Sequence, residues 1–476
     1  MLNPLLRKTK IVCTMGPATD SDAVLRQMMQ AGMNVARFNF SHSVYEKDRE
    51  RFERVVRLRE ELGLPIATML DTKGPEVRLR SFPDGPVEIK EGDTYTLTTR
   101  DVPCDAHIGS VNFSRLTHDI KPGDTVMIND GLVELAVEQV SATEVECRVV
   151  CGGVLSANKS CNFPGVNLSM PYLSDADMND LEFGAKLGFD FIAASFTRTG
   201  ADIRYLRKFT QSLGWYDVRI IAKIENREGV ENIDEILEAA DGIMVARGDM
   251  GVEIPFEQIP AIQKELIRKG YEAGKQVITA TQMLESMIQH ARPTRAEITD
   301  VANAIYDGTS ALMLSGETAA GQYPVEAVRT MERIAVTTER NIDYKHQFMN
   351  RSAGHVDIAD AIAHATVTTA HDLDADAIIT VTKGGETARL ISKYRPMFPI
   401  ISCTTEPVVQ RQMNLSWGVY PLVIDEETNT DDLFAHAVEA ACKAGYTEPK
   451  DLVVITAGVP LGVSGTTNLL KVETVE

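Results

Sequence analysis

The sequence has little of what marks membrane, secreted or nucleic-acid-binding proteins. No apolar run approaches the roughly 20 residues that a membrane-spanning helix needs. The basic residues 1–10 lack the apolar core of a secretory signal. Positive charge is in deficit, since 48 Lys and Arg face 68 Asp and Glu, a net charge of -20. A polyanion would be repelled by this surface, so we expect no nucleic-acid and no membrane partner.

Cysteine is scarce and scattered. The chain has seven cysteines, and Cys147 and Cys151 are their only close pair. Neither a disulfide framework nor a repeated metal-ligand spacing is visible, so we expect reduced thiols and a cytoplasmic location.

What the sequence does contain is an alternation of strand and helix patterns with the spacing of βα units, about 30 residues each. Eight strands with a helix after each predict a (β/α)₈ TIM barrel. A doubly wound open sheet is the alternative, and it explains less well why ionic or hydroxyl residues follow most strands. The expected strands are Ile11–Met15, Val35–Phe40, Ile66–Leu70, Phe191–Ser195, Arg219–Ala222, Gly242–Val245, Val277–Ala280 and Ala311–Leu314.

The alternation is interrupted once, between the third and the fourth strand. Residues 75–170 show period-two patterns and turn sequences such as Pro83-Asp84-Gly85, which predict an inserted all-β domain. The barrel would then comprise residues 1–74 and 171–345. A polar linker at 351–357 and a smaller α/β pattern predict a further domain over residues 346–476.

Two charged trios end neighbouring apolar runs, Lys223-Ile224-Glu225 and Arg247-Gly248-Asp249. Charges at this point of a buried strand face the carboxyl end of a barrel, where barrel enzymes place their sites. Two carboxylates beside a lysine suit Mg²⁺ and a phosphorylated anion. The alternative is a structural ion network, which would be costly without an ionic ligand.

Further candidates follow the second and third strands. Arg37 is a natural clamp for a phosphate, and alternation would turn it to the same side as Asn39 and Ser41. Asp71 and Thr72 add oxygen ligands that suit an alkali or alkaline-earth ion. A solvated arginine and a simple hinge remain the alternatives for these two segments.

Later strand ends carry glycine and hydroxyl groups. The amides around Gly248 could bind a carboxylate. The hydroxyls of Thr281 and Ser315 could bind substrate or relay a proton, although hydroxyls near helix starts are more often caps.

Taken together, these motifs resemble the pyruvate kinases, in order and over nearly the whole chain. The segments that carry the resemblance are Lys8–Thr14, Asn39–His42, Leu70–Glu76, Lys223–Asn226, Met244–Asp249, Ala280–Leu284 and Met313–Thr318. The resemblance implies transfer of a phosphoryl group from phosphoenolpyruvate to ADP, giving pyruvate and ATP, with Mg²⁺ (or Mn²⁺) and K⁺ as cofactors.

The resemblance also implies roles for single residues. Glu225 and Asp249 would hold Mg²⁺, Lys223 would stabilise the phosphoryl in transfer, and Arg37 would contact the phosphate. Gly248 and Asp249 amides with Thr281 would bind the substrate carboxylate, and Thr281 and Ser315 would lie on the proton route to the enolate.

The implied K⁺ ligands are Asn39, Ser41, Asp71 and Thr72, with Glu76 at a position associated with K⁺ dependence. The implied nucleotide contacts are Asn39, His42, Arg78 and Lys159, and the inserted domain would be a mobile lid.

Two departures from the family pattern lie near the implied nucleotide site. Ser43 replaces the glycine that usually follows the Asn-Phe-Ser-His motif, and Ser160-Cys161-Asn162-Phe163 replaces Gly-Val-Asn-Leu after Lys159.

The C-terminal part resembles the family's effector domain. Its expected phosphate loop contains Thr382, Lys383, Gly384, Gly385 and Thr387. Glu386 stands where relatives activated by fructose bisphosphate often carry Arg or Lys, and the loop at 458–466 lacks arginine. We therefore expect a monophosphate effector, and the resemblance implies a homotetramer. The rival functions are another Mg²⁺-dependent enolate-forming barrel enzyme, a lyase or aldolase, and a non-catalytic effector-binding protein on the same fold.

Overall fold

Eight parallel strands close into a barrel at the centre of the molecule. The structure is a computed structural model that describes residues 6–350, 357–460 and 465–476. The barrel strands before the β insertion are β1 Lys10–Thr14, β2 Val35–Asn39 and β3 Ala67–Asp71. The ring closes because β1 pairs with β2 on one side and with the last barrel strand on the other. The open-sheet alternative is therefore wrong.

The β insertion, which follows β3, has its own sheets and its own core. Buried side chains such as Tyr95, Leu97 and Val126 fill it, so it is stabilised independently of the barrel interior. Its elements are β4 Val77–Arg78, β5 Val87–Ile89, β6 Thr94–Thr98, β7 Ile108–Ser110, the short helix α3 Leu116–Asp119, β8 Thr125–Ile128, β9 Val133–Val140, β10 Glu144–Cys151, β11 Gly153–Leu155 and β12 Ser160–Asn162.

The barrel then resumes with five further strands. They are β13 Phe191–Ala194, β14 Arg219–Ile224, β15 Gly242–Ala246, β16 Gln276–Ala280 and β17 Ala311–Leu314. The order around the ring is β1-β17-β16-β15-β14-β13-β3-β2. Fully buried side chains such as Met69, Phe191 and Met244 fill the interior, as a packed barrel core requires.

Helices cover the outside of the barrel. They are α1 Asp22–Gln30, α2 Tyr45–Leu62, α4 Asp175–Leu187, α5 Gly200–Ser212, α6 Arg227–Glu231, α7 Ile233–Ala239, α8 Arg247–Glu253, α9 Ile259–Glu272, α10 Arg295–Asp307, α11 Gly316–Ala319 and α12 Pro324–Glu339. The sequence pattern indicates one helix over Val230–Ala240, whereas the structure has two. The break falls at Asn232, whose side-chain amide donates to the Arg198 carbonyl at 3.1 Å.

The C-terminal unit is a five-stranded sheet with helices. Its strands are β18 Ala377–Val381, β19 Ile400–Thr404, β20 Val419–Val423, β21 Leu452–Gly458 and β22 Thr467–Thr474, in the order β20-β19-β18-β21-β22. Its helices are α13 Tyr344–Met349, α14 Ile358–Leu373, α15 Glu386–Lys393, α16 Pro407–Met413 and α17 Thr430–Lys443. Residues 351–356 of the expected linker lie outside the described residues.

The C-terminal unit packs against the amino-terminal end of the barrel. Arg411 of α16 pairs with Asp190 at 2.8 Å, just before β13. Arg219, the first residue of β14, donates to the Gly384 carbonyl at 3.2 Å and pairs with Asp241 at 3.0 Å. The strand that leads to Lys223 is thus tied to the C-terminal unit at its other end. No helix in the described parts of the chain has the length and hydropathy for a membrane span.

Candidate active site

Lys223 lies at the centre of a buried ionic cluster at the carboxyl end of the barrel. Its Nζ is 2.8 Å from Glu225 Oε1, 3.1 Å from Asp71 Oδ1 and 2.7 Å from Ser195 Oγ. Strand β14 continues through Ile224, so Lys223 is part of the strand, not the first residue after it. The strand therefore fixes the backbone of Lys223, and the three acceptors fix its ammonium.

The pKa values of this cluster reflect burial opposed by neighbouring charges. Burial lowers the pKa of Lys223, but the carboxylates of Asp71 and Glu225 prevail and hold it above the ordinary value. Burial raises the pKa of Asp71, yet Arg37 and Lys223 prevail and lower it. Lys223 and Asp71 are therefore an ion pair at neutral pH.

Glu225 behaves differently because its environment combines burial with a second carboxylate. Burial raises its pKa to about 7, with a smaller rise from Asp249 and an opposing effect of Lys223. Its Oε2 also accepts a hydrogen bond from the Phe196 amide at 2.6 Å. A divalent cation bound by Glu225 would relieve this cost.

Arg37 is held between a carboxylate and a hydroxyl. Its Nε is 2.6 Å from Asp71 Oδ2, and its Nη1 donates to Thr14 Oγ1 at 2.9 Å. Asp71 thus binds Arg37 with one oxygen and Lys223 with the other. The expected phosphate clamp and the expected phosphoryl-stabilising lysine therefore meet on one carboxylate.

The expected monovalent-cation ligands lie at the ends of two adjacent strands, Asn39 and Asp71 as the last residues of β2 and β3, and Ser41 and Thr72 just after them. The alternation of β2 ends at Asn39, because Phe40–His42 forms a 3₁₀ turn. Ser41 lies in that turn, so the expectation that it continues the strand's alternation is wrong. The Asn39 side-chain oxygen accepts from the Ser41 amide at 3.2 Å, and Thr72 Oγ1 accepts from the Ser195 amide at 3.1 Å.

The expected carboxylate site is formed by the first turn of α8 and the end of β16. The Gly248 amide donates to Thr281 Oγ1 at 2.8 Å, and that hydroxyl donates to the Ala280 carbonyl at 2.6 Å. Thr281 has a φ of +71°, an uncommon conformation for a β-branched residue. Asp249 follows Gly248 in the same turn and is exposed.

Arg247 has a structural role in this arrangement. Its Nη1 pairs with Asp300 at 2.7 Å, and its Nη2 donates to the Thr281 carbonyl at 2.7 Å. The contact with Asp300 holds the guanidinium in place, and the contact with the Thr281 carbonyl supports the backbone of that residue.

Ser315 follows β17, and its hydroxyl is buried without a hydrogen-bond partner among the residues that the structure describes. A buried hydroxyl without a partner is uncommon in folded proteins, and it fits a site that is completed by a ligand or water.

The residues present fit a magnesium site. Within the described ranges no cluster of three or more His, Cys, Asp or Glu side chains is arranged for a metal. The carboxylates of Glu225 and Asp249 interact electrostatically. Mg²⁺ commonly uses one or two carboxylates and keeps waters and substrate oxygens as its other ligands.

The β insertion meets the barrel beside this site. A cleft of about 270 Å³ lies between them, lined by residues that include Glu76, Asn162, Phe196 and Glu253. Asn162 Nδ2 of β12 donates to Glu253 Oε1 of α8 at 3.2 Å. The helix that begins at the expected carboxylate site therefore ends on the β insertion.

The expected nucleotide residues lie on the β insertion and at the end of β2. Arg78 pairs with Glu76 at 2.7 Å, and its Nη1 donates to the Asn158 carbonyl at 2.7 Å. Lys159 is half-buried next to this carbonyl, and His42 closes the turn after β2.

The two departures from the family pattern have local roles. The Ser43 hydroxyl donates to Asp48 Oδ2 at 2.7 Å, at the start of α2. Ser160 contacts Asp130 Oδ1 at 3.3 Å, and Cys161 is buried.

The effector loop expected from the sequence opens helix α15. Thr382 Oγ1 accepts from the Gly385 amide at 3.0 Å, and Gly385 has a φ of +77°. Lys383 is exposed, Gly384 is half-buried, and the Thr387 hydroxyl bonds that of Thr467 at 2.7 Å. A cavity of about 310 Å³ lies beside the loop, and its described lining contains a single cation, Lys383. Residues 461–464 of the facing loop lie outside the described residues.

Sequence reasoning missed two residues of the site, Thr14 and Ser195. The signal was present, because each is the hydroxyl residue that ends or follows an apolar strand, as Thr281 and Ser315 do. These two strand ends carry no charged side chain, so they attracted no functional assignment.

The closed parallel barrel brings a lysine, an arginine and two acidic side chains together at its carboxyl end. This arrangement is typical of barrel enzymes that act on phosphorylated anions. The family model for the pyruvate kinase barrel domain matches residues 6–328, and that for the pyruvate kinase alpha/beta domain matches residues 360–473. The chain belongs to the pyruvate kinase family and is a phosphotransferase.

Relatives and a solved structure agree over nearly the full length. A pyruvate kinase of Clostridium acetobutylicum is 46% identical over 473 residues, 99% of this chain and 100% of the relative. One of Geobacillus stearothermophilus is 48% identical over 472 residues, 98% of this chain and 80% of the relative. A crystal structure of a pyruvate kinase from Cryptosporidium parvum has a TM-score of 0.93 at 39% identity, covering 99% of this chain and 96% of that one. Neither rival function is favoured.

Proposed function

We propose that the ionic cluster around Lys223 transfers the phosphoryl group between phosphoenolpyruvate and ADP. The observation that carries this assignment is the Lys223 ammonium held between two carboxylates at the carboxyl end of the barrel. In the forward direction the bond between the enol oxygen and phosphorus breaks, and a terminal oxygen of ADP forms the new bond. The enolate that remains takes a proton on carbon and becomes pyruvate.

Glu225 and Asp249 are the proposed ligands of Mg²⁺ or Mn²⁺. The divalent cation would supply electrostatic stabilisation of the charge on the phosphoryl and enolate oxygens. Lys223 provides a positive charge next to the transferring phosphoryl group, and Arg37 binds the phosphate of the substrate.

The substrate carboxylate is proposed to bind at the first turn of α8. The amides of Gly248 and Asp249 and the Thr281 hydroxyl supply hydrogen bonds to it. The Ser315 hydroxyl, buried without a partner, suits the proton route to the enolate carbon. A threonine or serine hydroxyl is too weak an acid to act alone, so the proton donor is expected to be a water chain through these hydroxyls.

Asn39, Ser41, Asp71 and Thr72 are the proposed K⁺ ligands. They supply carboxylate, amide, hydroxyl and carbonyl oxygens of the kind that a hard cation prefers. Asn39, His42, Arg78 and Lys159 are the proposed contacts of the nucleotide, and the β insertion is the proposed lid that excludes water on closure.

The remaining assignments concern the whole chain. We assign residues 1–74 and 171–345 to the catalytic barrel, 75–170 to the lid and 346–476 to an allosteric unit. The effector site is Thr382, Lys383, Gly384, Gly385 and Thr387, with a phosphorylated small molecule as its ligand. The protein is assigned as a cytoplasmic homotetramer.

The test is pyruvate formation from phosphoenolpyruvate and ADP, with and without Mg²⁺ and K⁺. We expect strong dependence on both ions. Absence of turnover under every ion condition would refute the catalytic assignment, whereas full turnover with Na⁺ in place of K⁺ would remove only the monovalent-cation site.

A further inference from the structure

Two buried hydroxyls accept hydrogen bonds from the two cationic side chains of the site, Lys223 and Arg37. Ser195, the residue after β13, accepts from Lys223 Nζ at 2.7 Å, and Thr14, the last residue of β1, accepts from Arg37 Nη1 at 2.9 Å. Ser195 is 1% and Thr14 4% exposed. Each hydroxyl lies at the end of the strand that neighbours the strand of its partner: β1 pairs with β2, which carries Arg37, and β13 pairs with β14, which carries Lys223.

The orientation of each hydroxyl follows from its second contact. Ser195 Oγ lies 2.6 Å from the Thr72 carbonyl, and Thr14 Oγ1 lies 2.9 Å from the Leu314 carbonyl. A carbonyl can only accept, so Thr14 donates its proton to Leu314. Ser195 donates to the Thr72 carbonyl or to Asp71 Oδ1, which lies 3.1 Å away and, being ionised, also only accepts. In either case each hydroxyl turns a lone pair towards its cationic partner.

Ser195 differs from the other acceptors of Lys223 because it is neutral. Asp71 and Glu225 hold the ammonium but also offset its charge. Ser195 directs an N–H bond without reducing the positive charge that a transferring phosphoryl group would meet. Its place is also fixed, since its amide donates to Thr72 Oγ1 at 3.1 Å.

Thr14 acts on the guanidinium in a comparable way. The Cα atoms of Thr14 and Arg37 are partners in the register of β1 and β2, so the backbone sets their spacing. Asp71 accepts from Nε of Arg37, and Thr14 accepts from its Nη1. No side chain or carbonyl among the described residues takes Nη2, which remains for a phosphate oxygen.

We propose that Ser195 and Thr14 are positioning residues, Ser195 for the phosphoryl-stabilising Lys223 and Thr14 for the phosphate-binding Arg37. This inference rests on the proposed function of the site. Because Arg37 meets the phosphate in the bound substrate and Lys223 acts during transfer, the two hydroxyls affect different kinetic constants. Loss of Ser195 lowers kcat, and loss of Thr14 weakens substrate binding.

The experiment compares Ser195→Ala and Thr14→Val in the full chain. We measure kcat and KM for phosphoenolpyruvate, and the Kd of phosphoenolpyruvate with Mg²⁺ by calorimetry without ADP. Ser195→Ala is expected to lower kcat about tenfold or more, with Kd within about twofold of wild type. Thr14→Val is expected to raise Kd and KM about tenfold with little change in kcat.

Two further variants separate positioning from general stability. Ser402→Ala removes a buried strand hydroxyl in the C-terminal unit, bonded to Thr380 Oγ1 at 2.9 Å, and is expected to leave both constants unchanged. Thr14→Ser keeps the hydroxyl and is expected to restore wild-type Kd. Thermal unfolding of every variant shows whether stability changes alone.

The proposal is overturned by wild-type kcat in Ser195→Ala, by wild-type Kd in Thr14→Val, or by equal changes of both constants in both variants. If Ser195→Ala does not fold, Ser195→Cys is used in its place, because sulfur is a weaker hydrogen-bond acceptor than oxygen. Wild-type kcat in Ser195→Cys would also overturn the proposal. A wild-type chain without turnover would refute the proposed function instead, while the calorimetric arm would still test Thr14.

Discussion

At the scale of single residues, the site concentrates charge in a buried place and depends on a few contacts. Replacing Lys223 by Met removes the ammonium while keeping a side chain of similar length. We expect kcat to fall roughly 10³-fold or more, because the charge that faces the phosphoryl group is lost. Mn²⁺ binding, measured by equilibrium dialysis, should remain, since Glu225 and Asp249 are intact.

Lys275→Met is the matched control for this change. Lys275 precedes β16 at the opposite end of the barrel, where its Nζ donates to the Ala240 carbonyl at 2.8 Å. Its replacement should affect thermal stability and leave kcat within a few-fold of wild type. Equal losses of kcat in both variants would contradict the role of Lys223.

A second residue-scale prediction concerns Glu225 and pH in metal-free buffer. Burial raises the pKa of Glu225 from its ordinary value to about 7. A raised folded pKa means that the contribution to stability is complete below the ordinary pKa and is lost as pH rises through about 7. The Tm of wild type relative to Glu225→Gln should therefore fall between about pH 5 and about pH 8.

Calorimetry of the two proteins at several pH values measures this difference. Saturating Mg²⁺ should raise the Tm of wild type more than that of Glu225→Gln at the higher pH, because the metal favours the ionised carboxylate. A constant Tm difference over this pH range, without metal, would speak against a raised pKa.

At the scale of secondary-structure elements, helix α8 offers a paired test of substrate binding. A Cβ added at Gly248 would lie 3.3 Å from Thr281 Oγ1, whereas one added at Gly251 would meet nothing within 4 Å. Gly248→Ala should raise KM for phosphoenolpyruvate about tenfold, because the amide and hydroxyl that are proposed to bind the carboxylate are displaced.

Gly251→Ala is the control in the same helix. Alanine favours a helix over glycine by up to about 1 kcal/mol, so Gly251→Ala should be as stable as wild type or more stable. In Gly248→Ala the close approach of the new Cβ to Thr281 opposes this gain. Steady-state kinetics and thermal unfolding distinguish the effects. Unchanged KM in Gly248→Ala would argue against substrate binding at this turn.

The elements that the sequence predicts best are those with one dominant signal. All eight barrel strands lie within about two residues of their expected bounds, because a strand buried on both faces is apolar and ends where charges begin. Strand β20 was missed since Pro421 interrupts its pattern, and β22 since polar and charged residues alternate through it. The split between α6 and α7 depends on a tertiary contact of Asn232, which no local pattern contains.

In the candidate site, too, the sequence predicts residues with a strong local signal and misses those that depend on tertiary contacts. Charged residues such as Lys223 and Glu225 were found because burying them at a strand end is costly without a function. Ser195 and Thr14 were not found, because a hydroxyl after a strand is most often a cap and only the closed barrel brings each beside its cation. Arg247 belongs to one of the two charged trios, and its contacts with Asp300 and Thr281 are visible only in the fold.

At the scale of the whole molecule, the proposed effector site predicts which ligands activate the enzyme. Glu386 is exposed at the start of α15, and Glu426 and Glu427 line the adjacent cavity. A second phosphate would meet these carboxylates, so micromolar fructose bisphosphate should leave the apparent constant for phosphoenolpyruvate nearly unchanged. AMP or a sugar monophosphate should lower it.

Glu386→Arg provides the contrasting variant, since it replaces the repelling charge by an attracting one. We expect this variant to bind fructose bisphosphate more tightly than wild type, as measured by calorimetry. A large fall in the apparent substrate constant of the wild-type protein with micromolar fructose bisphosphate would contradict the prediction.

The hydrogen bond from Arg219 to the Gly384 carbonyl has a consequence for how the protein can evolve. Strand β14 carries Arg219 at one end and Lys223 near the other, and a strand of this length spans about 20 Å without compressing. The proposed effector loop and the strand that carries Lys223 are therefore joined directly, and a mutation that moves the Gly384 carbonyl would cost this hydrogen bond. Selection for a new activator is expected to act mainly on exposed side chains such as Lys383 and Glu386, while the backbone around Gly384 stays constrained by its contact with Arg219.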